Sequence, residues 1–466
     1  MSDIFQRPLS EIASALREGT IRAQDLAETA IANHERWGGP LNAYLLWTSS
    51  RARRAAEAAD AVFAAGAAAG PLQGIPVSIK DLFAAQGLPT FAGSNRRLPP
   101  EWEHDGPLVA ALRRQLAVIM GKTHMVEFAF GGTGANSHWG APRNPWDAQQ
   151  HRSPGGSSSG AGVSLAEGSA LLAFGSDTAG SVRIPATVTG QVGLKVTLGR
   201  WSAEGVVPLA PSYDTPGILT RSVADAAYSF AALDPLTGDA ERCLARLSAR
   251  PLSGLRIGIG DPQHWDGCDP GVAEAAKTAL AELVKQGAIL RDITVPEAGD
   301  AYAVFLEGGV SGIELRGFLD HALPQWVAEL DPIVAPIMKV VEGLDARSYL
   351  ARLWKLKSAG RRVLQRFAAI DVIATPTLAF TPPVMTEIAK DGWQANRRLV
   401  RNTVWVNYLG LCGITLPVAL DRAGMPVGLQ LVAPPNQEEH LLAAAWAAER
   451  ALGTGAQRLG APPMVR

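Results

Sequence analysis

Two short, serine-bearing glycine turns lie close together in this chain. They are Gly155-Gly156-Ser157-Ser158-Ser159-Gly160 and Asp177-Thr178-Ala179-Gly180-Ser181. A lysine, Lys80, follows the alternating apolar residues Ile75, Val77 and Ile79. Serine hydroxyls beside a lysine amine can carry out nucleophilic catalysis, provided burial lowers the amine pKa toward neutrality. Glycine helps by letting backbone N–H groups approach a reacting atom. The competing reading of the turns is a flexible Gly/Ser linker. Residues 161–174 are too apolar for that. On position alone, Lys80 is better explained as a solvated lysine or a partner of Asp81 than as a base.

Other chemistries fit less well. Gly156-Ser157-Ser158-Ser159-Gly160 satisfies GxSxG with Ser158 at its centre, but that elbow needs a strand directly before it. His151-Arg152-Ser153-Pro154-Gly155 is not an apolar strand. No lysine has a serine three positions before it, so the SxxK arrangement fails as well. The histidines are scattered, with no HExxH or comparable ligand spacing, and no metal site is expected. Neither GxxxxGK[ST] nor a GxGxxG between strand and helix occurs, which leaves the glycine turns poor phosphate cradles.

The elements that must position these residues alternate along the whole chain. Residues 9–35 suggest two amphipathic helices broken near Gly19, the first capped by Ser10. Strands are expected at Ile75–Ile79, Ala117–Met120, Leu255–Ile259 and Ile370–Ala374, and as a pair over 413–419 and 427–432. The run Ala170–Phe174 is a buried strand or a helix end. Ser222 with Asp225 marks a capped helix start, and residues 271–287 and 300–366 are largely helical. Mixed elements from end to end favour an α/β fold built as one domain.

Composition sets limits on function. The chain has 466 residues, with Lys+Arg 43 against Asp+Glu 44, so its near-zero net charge gives no case for binding nucleic acid. No apolar run approaches the ~20 residues of a membrane span. The N-terminus lacks the pattern of a signal peptide. Three separated cysteines, Cys243, Cys268 and Cys412, imply neither disulfides nor a metal site. A cytoplasmic protein is the expectation.

Taken together, the residues resemble the amidase signature family of serine hydrolases. The resemblance rests on Gly74-Ile75-Pro76-Val77-Ser78-Ile79-Lys80-Asp81, then Gly155-Gly156-Ser157-Ser158, then Asp177-Thr178-Ala179-Gly180-Ser181-Val182-Arg183-Ile184-Pro185-Ala186. Gly193-Leu194-Lys195 and Pro426-Val427-Gly428-Leu429-Gln430 extend it. It implies one domain over 1–466 with a central mixed β-sheet flanked by helices. Within that domain it implies a signature core at 70–235, a variable, mostly helical segment at 236–370 over the pocket, and a C-terminal part at 371–466. It also implies a Ser–cis-Ser–Lys triad: Ser181 as nucleophile, Ser157 as bridging serine after a cis Gly156–Ser157 bond, and Lys80 as base. The backbone N–H groups of Thr178, Ala179, Gly180 and Ser181 would form the oxyanion hole, with Ser158, Asp177 and Arg183 in support. Phe128, Phe130, Gly131, Gly132 and Thr133 correspond to a pocket-forming region. Trp326, Trp354 and Trp393 are further candidates from the least family-like stretch, 300–400. Two departures stand out: Ala179 where many members carry glycine, and Leu411-Cys412-Gly413 where Gly-x-Pro is common.

The resemblance implies hydrolysis of a small-molecule carboxamide through an acyl-enzyme, with no cofactor and no metal. A homodimer is the family-level expectation, with no nucleic-acid or membrane partner. Two other readings keep the same chemistry. One is the glutaminase subunit of a tRNA-dependent amidotransferase, although Leu353–Ser358 lacks the tyrosines usual there. The other is a ureido-type hydrolase, some of which the Asp177-Thr178-Ala179-Gly180-Ser181 and Leu411-Cys412 wording resembles.

Overall fold

The computed structural model describes residues 4–339 and 341–466. Eleven strands form one mixed sheet: β1 (Tyr44–Trp47), β2 (Pro76–Lys80), β3 (Val118–Thr123), β4 (Leu172–Asp177), β5 (Val192–Lys195), β6 (Thr215–Thr220), β7 (Arg256–Ile259), β8 (Ile289–Asp292), β9 (Val372–Pro376), β10 (Cys412–Leu420) and β11 (Pro426–Ala433). Across the sheet they run β1-β3-β2-β4-β6-β5-β10-β11-β9-β7-β8. β2 is parallel to β3 and β4, and β7 is parallel to β8 and β9. The remaining pairs are antiparallel. This is the single-domain mixed sheet expected from the sequence. The segment 236–370 also contributes β7 and β8 to the sheet. Among the described residues, no helix is long and apolar enough to cross a membrane.

The strand carrying Lys80 explains why the lysine is buried. Alternation at 75, 77 and 79 suggests a strand with one wet face, yet all five residues of β2 are buried. β2 lies between β3 and β4 in a parallel arrangement, and such strands are covered on both faces. The helix Ser159–Glu167 packs against β2, β3 and β4. Ala170–Phe174 resolves as the start of β4.

Four strands lack a legible signal: β1, β5, β6 and β8. In β5 and β6, Gly193, Pro216 and Gly217 read as breakers. The glycines are there for close packing. A Cβ on Gly193 would sit 2.7 Å from the Ala186 side chain, and one on Gly217 would sit 2.6 Å from the Leu194 carbonyl. Ser222 caps its helix as expected, its hydroxyl accepting from the Asp225 N–H at 3.0 Å. Ser10 does not cap the first helix, which spans Leu9–Arg17. The Leu9 N–H instead donates to the Asp225 carboxylate at 2.7 Å, a cap supplied from 216 residues away.

Asp81, next to Lys80 in sequence, is also fully buried, and its partner is Lys122 on β3 at 3.2 Å. The Lys122 ammonium also donates to the Pro89 carbonyl and the Thr90 hydroxyl. Removing one member of a buried ion pair strands the other without a countercharge. Lys122→Met is therefore expected to destabilise the fold by about 3–5 kcal/mol. Denaturant melts would show this as a lower midpoint, and an unchanged midpoint would contradict the account.

Candidate active site

Lys80, Ser157 and Ser181 converge although they come from three separate parts of the sequence. Lys80 ends β2, Ser157 sits in the turn before the helix Ser159–Glu167, and Ser181 lies between β4 and the helix Arg183–Val188. The Lys80 amine lies 2.7 Å from the Ser157 hydroxyl and 2.9 Å from the Ser176 hydroxyl. The Ser157 N–H donates to the Ser181 hydroxyl oxygen at 3.0 Å. Ser157 thus faces Lys80 with its hydroxyl and Ser181 with its backbone, and the two serine hydroxyls do not hydrogen-bond to each other.

The expected cis bond before Ser157 is not present. Every peptide bond among the described residues is trans, Gly156–Ser157 included. The chain reversal is made by two successive left-handed glycines, Gly155 (φ 74°) and Gly156 (φ 62°). A side chain at Gly156 would run into the Pro185 ring. Glycine is required there for both reasons.

Electrostatics around Lys80 are dominated by desolvation. Burial removes the ammonium from water and brings its pKa down to about 7, against the upward pull of Asp214 and then Asp177. Asp177 is itself fully buried, which would raise its pKa. Arg183, Lys195 and Asn407 outweigh the burial and hold it at about 2.

Asp177 organises the second turn. Its carboxylate accepts from the N–H groups of Gly180 and Val182 at 2.7 and 3.1 Å. Arg183 donates to it twice, at 3.0 and 3.1 Å, and also reaches Gln430 and Asn407 at 2.6 Å each. Asn407 in turn donates to the Asp177 carbonyl and carboxylate. Asp177 and Arg183, expected as supporting residues, are thus placed directly against the Ser181 turn. The Ser158 hydroxyl donates to the Ser176 carbonyl and accepts from the Ser176 N–H.

The expected oxyanion donors need one correction. The Gly180 N–H is engaged by Asp177 and cannot also serve a substrate oxygen. The N–H groups of Thr178, Ala179 and Ser181 have no partner among the described residues. Gly180 itself has φ 129°, and a Cβ there would collide with the Thr403 hydroxyl, so this position must be glycine. Ala179 is not in the left-handed region, which is why alanine is tolerated. Its carbonyl accepts from the Thr403 hydroxyl at 2.6 Å.

A narrow cavity opens over Ser181. Of the expected pocket residues, Phe130, Gly131 and Gly132 line it. Phe128 and Thr133 do not. Phe128 is buried against Phe318 and Trp326, and the Thr133 carbonyl accepts from Ser153. Of the three expected tryptophans, Trp393 lines the cavity, Trp326 is core and Trp354 is exposed. Cys412 is buried, its thiol pushed up to about 12 by burial and pointed at the Pro434 carbonyl, which fits packing.

Several site residues are not legible in the sequence. Ser176 reads only as the end of a strand. Asp214 holds the Thr178 hydroxyl and the N–H groups of Leu209 and Ala210. Phe305, Asn396 and Tyr408 reach the cavity from positions 124–227 residues beyond Ser181, and no local pattern announces them.

The Amidase family model matches residues 25–442. The chain belongs to this family. It is a hydrolase acting on the C–N bond of amides. It is 46% identical to a 2-amino-5-chloromuconic acid deaminase of Comamonas testosteroni, with 98% of each chain covered. It is 35% identical to a glutamyl-tRNA(Gln) amidotransferase subunit of Anaeromyxobacter sp. (strain K), covering 98% of this chain and 97% of that one. The solved structure of 6-aminohexanoate cyclic dimer hydrolase with its substrate superposes with a TM-score of 0.84 at 27% identity, covering 99% of this chain and 100% of that one.

The perturbation of Lys80 is directly measurable. With isotopically labelled lysine, one resonance should titrate near pH 7 rather than near the usual 10.5. That resonance should vanish in Lys80→Ala. A Lys80 signal still titrating near 10 would refute the desolvation argument.

Proposed function

We propose that the chain hydrolyses a carboxamide to a carboxylate and ammonia or an amine through an acyl-enzyme on Ser181. The observation that carries this reading is the Lys80 amine, enclosed in the sheet, held near neutrality, and 2.7 Å from the Ser157 hydroxyl. An amine of that kind is a competent general base at physiological pH.

Neutral Lys80 takes the Ser157 proton as Ser157 takes the proton of Ser181. The two hydroxyls must meet for this step. In the resting geometry Ser181 rests on the Ser157 N–H, and rotation of Ser181 about its Cα–Cβ bond as substrate seats makes the contact. Catalytic hydrogen bonds commonly tighten only in the substrate complex. Ser181 oxygen then bonds to the amide carbon, and the negative oxygen is held by the N–H groups of Thr178, Ala179 and Ser181. One such donor is typically worth ~3–4 kcal/mol in the transition state. The relay returns its proton to the departing nitrogen as the C–N bond breaks. Water attacks the ester by the same relay in reverse, releasing the carboxylate and restoring Ser181.

The relative named as a deaminase supports release of ammonia, and the cyclic dimer hydrolase supports an amide carbonyl as the reacting group. The amidotransferase relative supports a second reading, glutamine hydrolysis for partner chains. That reading must find a place for the α-ammonium of glutamine, and among the described residues no carboxylate lines the cavity. A cytoplasmic setting and a homodimer belong to the proposal through the family resemblance, and the three free thiols fit a reducing compartment.

Ammonia and amine release should be followed over a panel of amides. Ser181→Ala should abolish turnover and the ester trapped by hydroxylamine. Lys80→Ala should lower kcat by about 10²–10⁴-fold. In the wild type, kcat/KM should climb about tenfold per pH unit below pH ~7 and level off above it, because only the neutral amine accepts a proton. Wild-type turnover by Ser181→Ala would remove this mechanism.

A further inference from the structure

Asn396 stands out among the residues around the cavity. It lies on the helix Gly392–Val400 and is only 6% exposed. Its Oδ1 accepts from the Gly132 N–H at 2.6 Å. That bond fixes the orientation of the side-chain amide, since only the oxygen can accept. The Nδ2 group is left on the other side, without a partner among the described residues, on a residue that lines the cavity over Ser181. The Gly132 carbonyl accepts from the Gly156 N–H at 2.8 Å, so Asn396 is two hydrogen bonds from the Ser157 turn.

The rest of the wall is selective in a complementary way. Phe130, Phe305, Trp393 and Tyr408 present flat aromatic surface. Among the described residues, no Asp, Glu, Lys, Arg or His lines the cavity. A cationic group on the acyl part would be desolvated without a countercharge. An oxygen acceptor on that part would meet the free Asn396 N–H, and a purely apolar group would leave that donor unsatisfied. Sites built around a hydrogen-bonding group reject analogues that lack its partner.

We propose that Asn396 is a specificity-determining residue that reads an oxygen acceptor on a planar, uncharged-nitrogen acyl group, and that the cavity rejects acyl groups bearing an ammonium. This rests on the amidase reading above, because it takes the cavity over Ser181 as the acyl site.

The test uses a nearly isosteric pair, 4-acetylbenzamide and 4-isopropylbenzamide, binding by calorimetry to the full-length Ser181→Ala protein. The acetyl amide should bind about tenfold more tightly, the scale of one satisfied buried hydrogen bond. Adding Asn396→Asp keeps an acceptor for the Gly132 N–H but replaces the free donor with an acceptor, and the preference should vanish. Adding Asn396→Ala, which also cuts the Gly132 tether, should weaken both ligands and likewise erase the preference. A role limited to holding Gly132 would leave the preference intact in Asn396→Asp, and that result overturns the proposal. So does equal binding, or no binding, of the two amides in the parent, or saturable binding of L-glutamine at this cavity. If the preference is present and depends on Asn396, but wild-type protein hydrolyses neither amide, the proposal stands and the amidohydrolase reading is the one that fails.

Discussion

Desolvation of one amine is the constraint on which this site depends. The pKa of Lys80 is brought down to about 7 because its strand lies in the interior of the sheet, with neighbours on both sides and a helix across it. The effect would be lost if a free carboxylate paired with the amine. Two are close enough to pull its pKa upward, Asp214 and Asp177. Each is occupied elsewhere, Asp177 by Arg183 and Asp214 by Thr178 and two backbone N–H groups. The adjacent Asp81 is taken by Lys122. Three carboxylates in the region are thereby committed to other partners, and the amine faces two serine hydroxyls instead.

The Asp177–Arg183 pair also ties together parts of the chain that are far apart in sequence. Through Asn407 and Gln430 it connects the Ser181 turn to the segment before β10 and to β11. A buried ion pair of this kind is weak evidence of net stability, because the desolvation penalty offsets the attraction. Its effect here is geometric. By engaging Gly180 and Val182, the Asp177 carboxylate sets which N–H groups of the turn stay free, so one side chain decides which donors the turn can offer.

The cavity is assembled differently. Its floor comes from the signature turns, while much of its wall comes from residues 305–311 and 393–408. The Lys80–Ser157 contact is fixed by the sheet, whereas helical segments supply much of the wall over Ser181. Asn396 belongs to both parts, since it lines the cavity and holds Gly132 next to the Ser157 turn.

Residue order carries the family resemblance. Through that resemblance, the succession of Lys80, Gly155-Gly156-Ser157 and the Asp177–Ser181 turn gives the expected nucleophile, bridging serine and base. Local pattern is enough to place β2, β3, β7, β9 and the β10–β11 pair. Strands that use glycine for close packing, β5 and β6, stay hidden because their reason for being strands lies in another element. The same holds for the site. Burial of Lys80, the partner of Asp81, the loss of Gly180 as a donor and the trans bond before Ser157 all follow from contacts between distant residues. Phe128 and Thr133 are plausible pocket residues by proximity in sequence, but which way a side chain points depends on what packs behind it. Desolvation and hydrogen-bond competition are properties of a packed neighbourhood, so they come into being only when the chain has folded.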